Sequence, residues 1–218
     1  MRRLQKKTSV FKIIMLVFAL LVLANVATNY IVSETNYTHN VQVAEELNSN
    51  HFTSQGYIND TSILNNFKYT LNQNGDLYSL VISTYNVLNY LKTDLAATGI
   101  TVGPEIFPDI IQYYDRYAPL ALGHLGSNPL AVKWYFNSIG LNAEVAFDRE
   151  NIAEILASND ISVLFRTNYK DDTEFRAVTY INESQARYYG PNQSFHINNK
   201  INIDYKDHFL TLITVNLT

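Results

Sequence analysis

The sequence predicts an α+β fold, with a helical layer followed by an antiparallel sheet and one membrane-spanning or signal helix ahead of both. Three observations carry that expectation. Apolar residues recur three and four apart between Leu77 and Lys92, and again after Pro104 and Pro129, the spacing of helices with a buried face. From Leu141 onward the period shortens to two, as in half-buried strands. In front of everything lies a basic start joined to an apolar run.

That start holds Arg2, Arg3, Lys6, Lys7 and Lys12 and no acid, and Ile13 to Ala24 then reads IIMLVFALLVLA, with weaker apolar character through Val32. Two readings fit. A signal peptide would be cleaved near Ala24, after Val22-Leu23-Ala24. A retained anchor from Phe11 to Val32, which the sequence favours, is long enough at ~1.5 Å per residue to cross a ~30 Å hydrocarbon core. Both leave the basic residues in the cytoplasm and the body outside, by the positive-inside bias. The expected division is therefore 1–32 as cytoplasmic start and signal anchor or signal peptide, 33–69 as a polar stalk merging into the domain, and 70–218 as the folded domain. The expected location is the cell membrane, single-pass with the body extracytoplasmic, or secretion if the signal is cleaved.

Within the body, Leu80, Val81, Thr84, Tyr85, Leu88 and Leu91 give the first helix one buried face. Pro104 and Glu105 open a second, with Ile106, Ile110, Ile111, Tyr114 and Tyr117 inward. Asn128 and Pro129 start a third that stops at Gly140. Leu141, Ala143, Val145 and Phe147 then alternate as a strand, Asp148 caps a helix through Ile152, Ile155 and Leu156, and Ile161 to Phe165 is a buried strand. Phe175 to Ile181 and Ala186 to Tyr189 form a hairpin across residues 182–185. An amphipathic stretch, Tyr205 to Ile213, precedes Val215.

Composition excludes several function classes. The chain has 218 residues and no cysteine, so it has no disulfide, no thiolate metal site and no thiol nucleophile. Of its 16 basic residues five lie at the start, leaving 11 against 20 acidic groups, a balance that repels phosphate backbones and speaks against nucleic acid as a partner. His39, His51, His124, His196 and His208 show no metal-ligand spacing, and Asp171, Asp172 and Glu174 read as solvated charge; no metal or cofactor is expected. The 25 Asn and 16 Tyr are residues that AT-rich codons overproduce, as in a low-GC bacterium or its phage.

The order of elements, together with specific residues, resembles the papain-like cysteine peptidase superfamily, most of all the peptidases that remove double-glycine leaders from bacteriocins. Gln73 is followed, after five intervening residues, by Ser79, whose helix reads LVISTYNVLNYLK, and KWYFNSIGLNAEV from Lys133 to Val145 is similar to the family's helix, glycine turn and strand. Asn159 to Arg166, NDISVLFR, resembles the strand before the catalytic histidine. The resemblance covers about two-thirds of the chain, from Thr70 to Thr218. It implies that Ser79 stands at the cysteine position, Phe175 at the histidine position, Asn192 at the orienting position after Tyr189-Gly190-Pro191, and Gln73 at the oxyanion donor. Leu80-Val81 replaces the family's Gly-Pro.

Two of the residues that define the chemistry are thus replaced. The resemblance then implies a pseudo-peptidase, tethered through Phe11 to Val32, with no catalytic residues and a groove lined by Gln73, Ser79, Phe175 and Asn192 that binds a peptide or a surface protein. The alternatives are a peptidase or esterase using Ser79 as nucleophile with an unidentified base, and a purely structural surface protein.

Overall fold

The changes of period in the sequence are realised as six α-helices and six strands in a computed structural model that describes residues 2–58, 61–69, 76–119, 127–146, 152–168, 173–182, 185–189, 195–196 and 208–218. The first helix, α1 (Arg2–Glu45), runs well past the apolar segment. Nothing stops it, because residues 25–45 contain neither Gly nor Pro. Its hydroxyl residues bond back to the preceding turn, Ser33 Oγ to the Tyr30 carbonyl and Thr35 Oγ1 to that of Ile31, each at 2.8 Å.

Residues 33–69, expected as a polar stalk, are built into the body. Val43, Ala44, Ile58, Ile63, Leu64, Phe67 and Tyr69 are buried in the same cluster as the central helix. Val43 and Ala44 end α1, and the others are scattered among irregular segments and the short 3-10 turn Thr61–Leu64, which follows another at Ser49–His51, so beyond α1 they leave no period to read. Their packing changes the next element. Helix α2 (Asp76–Tyr90) was expected to bury one face, yet every residue from Ser79 to Asn89 is buried. The polar positions Asn86 and Asn89 are met by the 33–69 stretch, bonding to the Ile58 and Gln55 carbonyls, and the buried Ser83 bonds back to the Leu80 carbonyl of its own helix.

The remaining helices are α3 (Lys92–Ala97), α4 (Phe107–Tyr117, after the 3-10 turn Pro104–Ile106), α5 (Leu130–Ser138) and α6 (Ile152–Ala157). Asn128 starts α5 as expected, its Oδ1 accepting the Leu130 N–H at 3.0 Å. Gly140, at φ +87, ends it in the left-handed conformation while the Leu141 N–H closes on the Phe136 carbonyl at 3.0 Å.

The strands are β1 (Asn142–Ala146), β2 (Ile161–Asn168), β3 (Thr173–Asn182), β4 (Gln185–Tyr189), β5 (Phe195–His196) and β6 (His208–Asn216). They form one antiparallel sheet in the order β1-β6-β2-β3-β4-β5. The expected α+β arrangement, helices first and antiparallel sheet second, is the one observed. Strand β6, an amphipathic stretch of unassigned type in the sequence, is inserted between β1 and β2.

Both faces of the sheet are covered. Val163, Phe165, Phe175, Ala177, Tyr189, Ile213 and Val215 pack against the helical layer, whereas Leu164, Val178, Ala186, Tyr188 and Leu212 pack with Leu156 of α6. This is why β2 reads as a continuous apolar run rather than an alternation. Phe147, Asp148 and Tyr205, expected in or beside these elements, lie outside the described residues.

Candidate functional site

The helical layer meets the sheet where α2 crosses β3, and Ser79 and Phe175 come together there. Ser79 does not open its helix. It sits in the first turn after the Asp76 start. Its Oγ accepts the backbone N–H of Phe175 at 3.1 Å, a buried bond between residues 96 apart in sequence. Among the described residues, β4 pairs with β3 as far as Ala177 opposite Tyr189, two residues along β3 from Phe175.

Both residues are enclosed: Ser79 is 5% exposed and Phe175 0%. The Phe175 ring lies 4.8 Å from that of Phe165, its cross-strand partner on β2. A serine that is to attack a carbonyl needs access to the substrate and a base to take its proton. In this junction the hydroxyl oxygen is an acceptor for a backbone amide, and the side chain at the aligned base position is an aromatic hydrocarbon. Gln73, Gly190 and Asn192, the other members of the expected groove, lie outside the described residues, as do His124, Asp171 and Asp172. His39 is remote from the junction and meets the Asn66 carbonyl at 3.0 Å.

A feature invisible to the sequence reading is an aromatic cluster beside the junction. Tyr189, ending β4, stacks on Tyr57 at 4.5 Å and lies 6.1 Å from Tyr90. Burial, then the neighbouring Tyr189 and Tyr90, pushes the Tyr57 phenol up to about 12. Burial likewise pushes the Tyr85 phenol, stacked on Phe107 at 4.7 Å, up to about 12.

These shifts give a pH prediction. In the unfolded chain both phenols ionise near 10, so above that pH the native state holds protons that the unfolded state has lost. The stability they contribute is complete below pH 10 and disappears as pH rises toward 12. Urea midpoints should therefore fall across that window in step with phenolate absorbance. Midpoints that stay level through it would contradict the assignment.

A concavity of about 410 Å³ lies elsewhere, in the helical layer, with Tyr113 and Tyr135 lining it and Glu105 and Asp109 at its edge. Asp109 also accepts the Tyr37 hydroxyl of α1 at 2.8 Å. Among the described residues, no group of three or more His, Asp or Glu is gathered in a way that would hold a metal ion.

Fold and site together define an α+β domain whose helical and sheet layers are tied by a buried serine-to-backbone bond, preceded by one helix long and apolar enough to cross a membrane. Among solved structures the chain is similar to the peptidase domain of Streptococcus ComA, a bi-functional ABC transporter involved in a quorum-sensing pathway. The TM-score is 0.40 and the identity 10%, over 62% of this chain and 91% of that one. No protein-family model matches the chain, and no curated protein matches it.

Proposed function

We propose that this chain is a membrane-tethered, non-catalytic domain built on the papain-like peptidase plan, in which the former nucleophile position has become a structural tie and the body serves as a binding module outside the membrane. The bond from the Phe175 N–H to Ser79 Oγ carries this reading. It supports the register that the sequence resemblance gives, and it engages a hydroxyl only 5% exposed in tying the two layers together. Tethering is supported by the Val10 to Leu23 segment of α1: its large apolar side chains are 46 to 65% exposed, and none of its most apolar window is buried inside the protein. Left in water, that surface costs about 25 cal/mol per Å².

The test is Ser79→Ala in the full chain. Loss of the hydroxyl strands a buried backbone N–H, so stability should fall by about 1–3 kcal/mol. Amide exchange should accelerate first at Phe175 and its β3 neighbours. A library of peptides and esters should show no turnover with either protein. Turnover that is present in the parent and abolished by Ser79→Ala would establish a serine hydrolase and overturn the proposal.

A further inference from the structure

The upper half of α1 turns a polar stripe toward the body. Asn25, Asn29, Ser33, Tyr37 and Asn40 recur at three or four residues, and Asn29, Ser33 and Asn40 are buried. Their partners follow α4 in reverse: Asp109 accepts Tyr37, Arg116 donates to Ser33 at 3.1 Å and pairs with Glu34, and the Pro119 carbonyl accepts the Asn25 amide at 3.5 Å. Helix α4 therefore runs antiparallel to α1, and the chain just past its C-terminal end lies level with Asn25. On the opposite side of α1, Ile31 stays 64% exposed.

If Phe11 to Val32 spans the bilayer, Asn25 lies about 10 Å below the outer end of the span at ~1.5 Å per residue. The corner of the body joined to it is drawn down to the same depth. Its chemistry suits that place. The described residues of this corner, 117–119 and 127–132, include no Asp, Glu, Lys or Arg, while Arg116 and Lys133 flank them. A charge carried to that depth would cost several kcal/mol, and an uncharged segment avoids this. Tyr117, Leu130 and Trp134 are 48, 39 and 44% exposed. Leu130 and Trp134 are one turn apart on α5, whose start is held to the end of α4 by the Asn128 N–H on the Ala118 carbonyl at 2.7 Å. Amphipathic aromatic rings concentrate at the bilayer interface, where one end is apolar and the other wet.

We propose that the α4–α5 corner is itself a membrane-binding surface, seated in the outer interfacial layer beside the span, with Trp134 and Tyr117 at the headgroup boundary and Leu130 among the acyl chains. The inference rests on the reading of α1 as a retained span, so its test separates the two. Trp134 is the single tryptophan, and the chain has no cysteine, so Val17→Cys carrying an environment-sensitive dye reports on the span alone.

The full chain is reconstituted in phosphatidylcholine vesicles with and without lipids brominated near the headgroup, and iodide is supplied on both sides. The expected result is dye quenched by brominated acyl chains, with Trp134 emission more than halved by the shallow bromines and shielded from iodide. A quenched dye with Trp134 open to iodide and untouched by bromine would overturn the docking while leaving the span in place. A quenched dye with Trp134 shielded from both would mean that protein, such as a second copy of the chain, covers the corner, and would overturn it too. An unquenched dye would remove the span, and the docking with it.

Discussion

Replacing Asn86 with leucine is expected to cost about 2–6 kcal/mol, because two buried backbone groups lose their partners at once and each orphan costs ~1–3 kcal/mol. Asn86 is 0% exposed, on a helix with no solvent face along its middle. Its Oδ1 accepts the Ile58 N–H at 2.9 Å and its Nδ2 donates to the Ile58 carbonyl at 3.0 Å. The side-chain amide thus pairs with one residue as a neighbouring strand would, holding the irregular segment before residue 59 on α2. Leucine matches the volume and satisfies neither group. Two other amides make the same double contact: the buried Asn40 with the exposed Lys68, at 3.0 and 2.8 Å, and the exposed Asn137 with Ala143, at 3.4 and 2.8 Å. Since Asn137 is exposed, water can replace what Asn137→Ala removes, and that change should cost no more than about 1 kcal/mol. Urea unfolding of the two variants checks the contrast. Equal losses would mean that burial at Asn86 has been misassigned.

These clamps mark where the sequence stops being legible. The 25 asparagines carry two signals at once, a codon bias that scatters Asn and a structural use that places it. Nothing local distinguishes Asn86 from an exposed neighbour. Helix α2 was readable from its period, α4 and α5 because each adds a proline or asparagine start to one, and the hairpin of β3 and β4 because both strands alternate. All-round burial of α2 was not readable, because it depends on residues 43–69 folding over its polar side, a long-range event without a periodic trace. The junction of Ser79 with Phe175 came from family resemblance, since no composition or spacing rule pairs residues 96 apart. The resemblance placed the pair without revealing that the hydroxyl would accept a backbone amide.

Truncating the partner side chain is the second large effect expected. Phe175→Ala should destabilise the protein by about 3–5 kcal/mol, the range for deleting a buried aromatic ring from a core that collapses only partly around the cavity. Against a typical total of ~5–15 kcal/mol, that leaves the body marginal. The ring is fully buried, packs on Phe165 at 4.8 Å and points to the face shared with α2. The hydrogen bond to Ser79 uses the Phe175 backbone, so the alanine variant keeps it, and the loss measures the ring alone. Phe175→His separates the two histories that this position could have. In a polar cleft an imidazole would find water or a partner and cost little. In the apolar environment described here it buries nitrogen atoms among rings, and unmet polar groups add ~1–3 kcal/mol to the smaller volume. Phe175→His should therefore be nearly as destabilised as Phe175→Ala in urea unfolding. Parent-like stability of the histidine variant would mean that the cleft is still open at this point and that the proposed conversion of a catalytic position into core is wrong.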